Sequence, residues 1–288
     1  MTDDTRREAR ELYEAGDFER SRNASLTGLE LDANDLELLR LAGKSGVELD
    51  TEDAVGMLQK VVALNPNDAI GWHDLGEALA AEGRVREATD AFRRAVELRP
   101  DDAAALIDYG HSAFASGQPA EAIEALEDVL KMDPSDSATL RSLIGMYRRA
   151  SQTEAALGAA ERLLQSDPDD PVAALEKADL ALTLGRLDEA DGAYERLRTV
   201  DDEPEHDVYA LHGLIQVAMR REDWDRALAL AEEAIKVDTS GRTAALLGFF
   251  VTQARGRGDQ PGRAEVEEAL SDSHTEHLRI HSEEFAGF

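Results

Sequence analysis

The sequence predicts an all-α solenoid, and three observations support that prediction. Pro66, Pro100, Pro134 and Pro168 recur at intervals of 34 residues, and a fixed period of this size is typical of stacked repeat units. Within each period the apolar residues follow two successive helical stripes rather than the alternation of a β-strand. Hydrophobic residues make up 42% of the chain but aromatic residues only 5%, which favours small side chains packed helix on helix.

The unit at residues 69–102 shows the repeat most completely. With residue 69 as repeat position 1, apolar or small residues stand at positions 4, 7, 8 and 11 and again at 20, 24 and 27. These are Trp72, Leu75, Gly76, Leu79, Ala88, Phe92 and Ala95. Each set lies on one face of a helix at this spacing. Each unit is therefore predicted to be a pair of amphipathic helices.

Small residues mark the turn and the close contact within each pair. Gly83, Gly117 and Gly185 stand at position 15, where the first helix must end in a left-handed conformation that glycine adopts without strain. Position 20 is alanine in five units, and position 8 is often glycine or alanine. We expect these two small positions to face each other and to let the paired helices approach closely.

The repeated prolines end one unit, and aspartates begin the next. Proline at position 32 cannot continue the second helix. The aspartates at position 34 are placed to cap the following first helix; they are Asp68, Asp102, Asp136 and Asp170. A calcium loop is the alternative for these paired acids, but they lack the spacing and the glycine of an EF-hand.

This pattern resembles the tetratricopeptide repeat family, most closely at residues 69–102 and 103–136. The resemblance implies a right-handed superhelical solenoid of about seven tetratricopeptide-like helix–turn–helix repeats plus C-terminal capping helices. The solenoid is placed at residues 1–241, with repeats near 2–34, 35–68, 69–102, 103–136, 137–170, 171–204 and 208–241. Residues 242–288 are predicted to form a degenerate eighth helix pair with a C-terminal cap and tail, since a solenoid needs a polar-faced cover at its end.

The charge of the chain restricts its partners. There are 61 acidic residues against 31 basic residues, a net charge of −30. Such a surface repels nucleic-acid phosphates and anionic lipid headgroups, so we expect no nucleic-acid partner. No membrane insertion and a cytoplasmic location are expected, because the longest apolar run, residues 244–251, is too short to span a bilayer and the polar N-terminus lacks a signal-peptide pattern.

The basic residues are 26 arginines and five lysines. Together with the acid excess this favours a halophilic source, because carboxylates hold water at high salt while screening weakens their mutual repulsion. GC-rich codon usage is the alternative for the arginine bias alone.

No pattern in the sequence indicates enzymatic chemistry. A nucleophile elbow, a phosphate-binding loop and a dinucleotide fingerprint are all missing from the sequence, and the chain contains no cysteine. We therefore expect a non-enzyme without a cofactor. His274, His277 and His281 share one helical face, and are the metal-ligand candidates. The alternative is a polar face of a C-terminal helix, since a fourth zinc ligand is not evident.

The resemblance places a partner-binding groove on the concave side, lined by positions 2, 5, 9, 12 and 13 of the first helices. The predicted groove residues are His73, Glu77, Ile107, His111, Phe114, Arg141, Arg148, Arg149, Tyr209, His212, Gln216, Met219 and Arg220. Arginine suits carboxylate recognition, so an acidic or C-terminal peptide segment of a partner protein is expected there. Salt bridges between these arginines and neighbouring acids are the equally weighted alternative.

The predicted function is a non-catalytic protein–protein interaction scaffold or assembly adaptor. The alternative is a self-assembling scaffold that forms homo-oligomers through its ends or its C-terminal tail.

Overall fold

A computed structural model of the chain describes residues 2–200 and 204–237. All regular structure in these ranges is helical, which confirms the predicted all-α class. The described helices are α1 (Thr2–Glu14), α2 (Phe18–Leu29), α3 (Leu36–Glu48), α4 (Ala54–Leu64), α5 (Ala69–Ala81), α6 (Val85–Leu98), α7 (Ala103–Ala115), α8 (Pro119–Met132), α9 (Ser137–Arg149), α10 (Thr153–Ser166), α11 (Pro171–Thr183), α12 (Leu187–Val200), α13 (Pro204–Arg220) and α14 (Trp224–Val237).

The helices are packed in two compact units, one at residues 1–139 and one that begins at Leu140. In the first unit each helix packs against the next, and the first helices α1, α3 and α5 also contact one another in series. In the second unit α11 contacts α13 in the same way. Stacking of each helix pair on its neighbour is the packing expected of a repeat protein.

The turn inside each pair has the conformation that its sequence predicts. Gly83, Gly117 and Gly185 have φ angles of 72°, 84° and 72°, which confirms the left-handed residue after each first helix. Ser151 and Glu222 occupy the same repeat position with φ angles of 58° and 59°. A residue with a β-carbon is strained there, so the packing of the two helices imposes this turn even without glycine.

Three of the four predicted aspartate caps are confirmed, and one is wrong. The carboxylates of Asp102, Asp136 and Asp170 accept hydrogen bonds from backbone N–H groups three residues later. Asp68 precedes α5 but makes no such side-chain bond. Its carboxylate lies beside the first turn instead, with Oδ2 3.0 Å from the position that a β-carbon on Gly71 would take.

The small residue at position 8 meets position 24 of the second helix rather than chiefly position 20. A β-carbon on Gly76 would lie 2.6 Å from the ring of Phe92, and one on Gly110 would lie 3.1 Å from Leu126. The position-20 alanine contributes its backbone, since the carbonyl oxygen of Ala122 is 3.2 Å from that position on Gly110. The predicted close approach is therefore present, but a large side chain fills the space that glycine leaves.

Helix α13 is longer than its repeat predicts. It begins at Pro204 and has 17 residues, because the residues inserted before residue 208 continue the helix as an additional N-terminal turn. Proline is compatible with the first helical position, where its missing N–H removes no helical bond. The predicted C-terminal cap and tail, including His274, His277 and His281, fall outside the described residues.

Candidate functional site

The first helices of the first unit carry a cluster of charged residues that connects successive repeats. His73 on α5 lies with Nε2 2.7 Å from Oδ2 of Asp108 on α7. Its Nδ1 lies 3.9 Å from Oε2 of Glu77, one turn along α5. The ring of His73 also packs edge-to-face against Phe92, with centroids 5.4 Å apart. The imidazole is therefore held by one carboxylate, one aromatic ring and a second, more distant carboxylate.

The surroundings of the cluster raise the pKa of both His73 and Glu77. The hydrogen bond to Asp108 raises the pKa of His73, and nearby carboxylates add to that effect. Burial raises the pKa of Glu77, although Lys44 and His73 partly oppose it. The shifts thus have different causes: a carboxylate partner stabilises the imidazolium form of His73, whereas burial disfavours the charged form of Glu77.

A second set of ion pairs lies beside this cluster, between α3 and α5. Nζ of Lys44 is 2.7 Å from Oδ1 of Asp74 and 3.8 Å from Oε2 of Glu77. Nε of Arg40 is 3.4 Å from Oδ2 of Asp74. The Asp74 side chain is only 2% exposed, so the two cations compensate a buried carboxylate.

The other predicted groove residues of this unit lie on α7. Ile107 and Phe114 are half-buried, whereas His111 is the more exposed residue. Partial desolvation lowers the pKa of His111, against the opposing charge of Asp108. His73, Glu77 and Asp108 are brought together by the fold, and Ile107 and Phe114 provide apolar surface on the same helix as Asp108.

In the second unit, two of the predicted arginines form salt bridges with the next first helix. Arg141 pairs with Asp170, whose carboxylate also caps α11. Nη1 of Arg148 lies 2.6 Å from Oε1 of Glu176. Arg149 is exposed at the end of α9. The salt bridges expected as the alternative role of these arginines are thus present for Arg141 and Arg148.

The predicted residues on α13 differ in exposure. His212 and Met219 are buried, at 5% and 8% exposed. Tyr209 and Gln216 are half-buried, and Arg220 is exposed but donates a hydrogen bond to the carbonyl oxygen of Leu182. In this unit, then, Tyr209, Gln216 and Arg220 reach the surface, while His212 and Met219 contribute mainly to packing.

Sequence reasoning missed the acids that complete these contacts. Asp74, Asp108 and Glu176 all occupy repeat position 6 of their first helices. Each pairs with a basic residue of the preceding repeat. An acid recurring one residue after groove position 5 was the available signal.

The sequence itself matches known repeat families over most of its length. The family model described as "Cytochrome c-type biogenesis protein H TPR domain" matches residues 50–148. The model described as "Tetratricopeptide repeat" matches residues 146–204 and 175–242. The chain belongs to the tetratricopeptide repeat family. The curated proteins compared with it include no match.

Solved structures of other tetratricopeptide proteins have similar folds. The C-terminal part of a TPR repeat-containing protein from Cytophaga hutchinsonii is 16% identical, with a TM-score of 0.68 over 83% of this chain and 98% of that one. MamA is 25% identical, with a TM-score of 0.54 over 58% of this chain and 92% of that one. YrrB is 21% identical, with a TM-score of 0.53 over 65% of this chain and 95% of that one.

Tetratricopeptide repeats are typically non-catalytic scaffolds for protein–protein interaction, which is the general role that this membership supports. Through residues 2–200 and 204–237, every helix is too short or too polar to cross a membrane.

Proposed function

We propose that this tetratricopeptide protein is a non-catalytic scaffold or assembly adaptor that binds a segment of a partner protein along its first helices. The observation that best supports the proposal is the arginine set on α9. Arg141, Arg148 and Arg149 lie on one helix of a chain whose net charge is −30. Asp170 and Glu176 pair with two of them, but guanidinium groups concentrated on so acidic a protein still favour an anionic partner by direct contact.

The chemistry of Arg148 favours a carboxylate ligand. Glu176 engages this arginine through Nη1, yet the Arg148 side chain is still 31% exposed. A partner carboxylate can therefore reach the same guanidinium, and the exposed Arg149 is the adjacent residue. Because one guanidinium can bind both oxygens of a carboxylate, an acidic side chain or a C-terminal carboxylate is the proposed anchor.

The first unit carries a different kind of surface on its own first helices. There, Ile107 and Phe114 supply apolar area beside His111, while His73 and Glu77 are held by the contacts described above. Apolar and aromatic side chains beside polar groups suit the core of a binding surface. YrrB, whose structure is described as containing an unusual peptide-binding site, supports the capacity of this fold for such a role.

The proposal is tested with fluorescent acidic peptides that carry either a free or an amidated C-terminus. Fluorescence anisotropy compares wild type, Arg148→Glu/Arg149→Glu, and a control variant with the same charge change, Arg7→Glu/Arg94→Glu. Arg7 is exposed and Arg94 is partly exposed, and their described ion pairs are local, with Asp4 and Glu11 for Arg7 and with Glu97 for Arg94.

The α9 variant should lose binding while the control retains most of it. Equal loss in both variants would show that only net charge matters, and binding unaffected by either would place the site elsewhere. Preference for the free C-terminus would identify the terminal carboxylate as the anchor. The alternative function, self-assembly through the ends or the C-terminal tail, predicts a molar mass that rises with concentration in light scattering.

A further inference from the structure

The cluster of His73, Glu77 and Asp108 has the composition of a metal site. Each residue offers one donor atom, and these three atoms lie within 4.8 Å of one another. Ligands that surround a zinc ion at about 2.0–2.2 Å are separated by no more than about 4.4 Å. The observed limit of 4.8 Å exceeds that value slightly, so the side chains have to rotate for all three donors to reach one ion.

The placement of the ligands favours their convergence. His73 and Glu77 are four residues apart on α5 and so share one helical face. Asp108 approaches from α7, the first helix of the next repeat, with its Oδ2 only 2.7 Å from Nε2 of His73. A metal ion can bind between these two atoms only when Nε2 carries no proton, so imidazolium releases one proton to solvent, whereas neutral imidazole keeps its single proton on Nδ1.

The surroundings of the cluster are also compatible with a cation. Asp74, Glu77 and Asp108 supply three carboxylates, against two cationic side chains, Arg40 and Lys44. Lys44 lies 2.7 Å from Asp74 but 3.8 Å from Glu77, so it mainly compensates the buried aspartate. The remaining local charge is negative when His73 is neutral.

We propose that His73, Glu77 and Asp108 bind a divalent transition-metal ion, with Zn²⁺ as the best fit. One imidazole and two carboxylates form a mixed nitrogen and oxygen donor set, and imidazole favours zinc, nickel or copper over magnesium or calcium. Three protein ligands leave a fourth tetrahedral position for water. His111, three residues beyond Asp108 on the same helix, is the nearest candidate along the chain to support or occupy that position.

Such an ion joins α5 to α7 and so connects two successive repeats within the first unit. The site does not depend on the peptide-binding proposal, because its ligands lie on α5 and α7 whereas the proposed carboxylate anchor lies on α9.

The test is isothermal titration of the metal-free, full-length protein with ZnCl₂. His73→Gln removes the nitrogen ligand, and Asp108→Asn keeps an acceptor oxygen for His73 while removing the anionic ligand. Because changes in the outer shell of a metal site already reduce affinity about 10- to 100-fold, loss of a direct ligand should weaken binding at least about 100-fold. Thermal melting monitored by circular dichroism checks that both variants fold.

Two controls separate this site from other histidines. A His274→Gln/His277→Gln/His281→Gln variant and a His206→Gln variant should both retain the wild-type affinity. With cobalt in place of zinc, an absorption band that depends on imidazole coordination can be monitored. Loss of this band in His73→Gln would support His73 as a ligand. The proposal is overturned if wild type fails to bind zinc, if His73→Gln and Asp108→Asn bind as wild type does, or if only the triple variant loses binding.

Discussion

Replacing Gly213 by alanine tests the packing between α12 and α13. Gly213 is buried, and a β-carbon built on it would overlap the ring of Tyr194, with Cζ as the closest atom. Tyr194 is fully buried and donates a hydrogen bond from its hydroxyl to Oδ1 of Asp179. Because the overlap is with the ring itself and that hydrogen bond holds the ring in place, Gly213→Ala must displace it.

The expected change in the free energy of unfolding combines two costs and one gain. Overpacking of a core costs about 1–3 kcal/mol, and loosening the Tyr194 hydrogen bond to the buried Asp179 carboxylate costs about 1–3 kcal/mol more. Alanine returns about 1 kcal/mol through its higher helix propensity. Gly213→Ala should therefore lower the free energy of unfolding by about 3 kcal/mol, and by at least about 1 kcal/mol.

Urea denaturation followed by far-UV circular dichroism measures this change. Gly192→Ala is the matched control, because Gly192 lies on α12 and a β-carbon there meets nothing within 4 Å; it should raise stability by about 0.5–1 kcal/mol. In a Tyr194→Leu background, Gly213→Ala should lose most of its effect. The reasoning is refuted if Gly213→Ala stabilises the protein as the control does, or if its effect is unchanged without the tyrosine ring.

Four other predictions follow from contacts described above. Ser151→Gly should raise the free energy of unfolding by about 0.5–1 kcal/mol in urea denaturation, since glycine relieves the positive φ of 58°; a loss of stability would contradict the strain. Asp170→Ala should lower the free energy of unfolding by about 2–4 kcal/mol, because it removes both a helix cap and the partner of Arg141. Asp68→Ala should lower it by less than about 0.5 kcal/mol, because Asp68 makes no cap bond. Folding raises the pKa of His73 above its unfolded value of about 6.5, and the resulting stabilisation is fully present at pH values below that unfolded pKa. It is lost as the pH rises through the higher folded pKa. The difference in urea midpoint between wild type and His73→Gln should therefore shrink over that range, and a constant difference would exclude the linkage. The urea midpoint should also rise with KCl concentration because salt screens the net charge of −30; a midpoint that falls would oppose the halophile hypothesis.

The helix pairs and their turns were predictable because each depends on residues within one repeat. Gly83 and Gly117 lie next to the helices that they terminate, and Pro100 stops a helix only two residues earlier. These are local steric effects, so the sequence pattern is sufficient. The failure of the Asp68 cap is different, because the orientation of a carboxylate depends on small rotations that the pattern does not specify.

The candidate site was only partly predictable, since it depends on contacts between repeats. His73 and Glu77 were expected at the groove, but the partner Asp108 comes from the next repeat, and its approach depends on how the two helices are placed against each other. Burial of His212 and Met219 was not foreseen. Whether positions 5 and 12 are exposed depends on neighbouring helices, which a periodic pattern leaves undetermined.

The inter-repeat ion pairs show that the contacts between repeats are short in sequence separation. Lys44 and Asp74, His73 and Asp108, Arg141 and Asp170, and Arg148 and Glu176 join residues that are 28 to 35 positions apart. Contacts limited to one repeat length give a low relative contact order, for which folding is fast because only short loops must close. Folding of such a chain can begin at any well-formed pair of helices and spread to its neighbours, and each ion pair is made as soon as the next repeat docks.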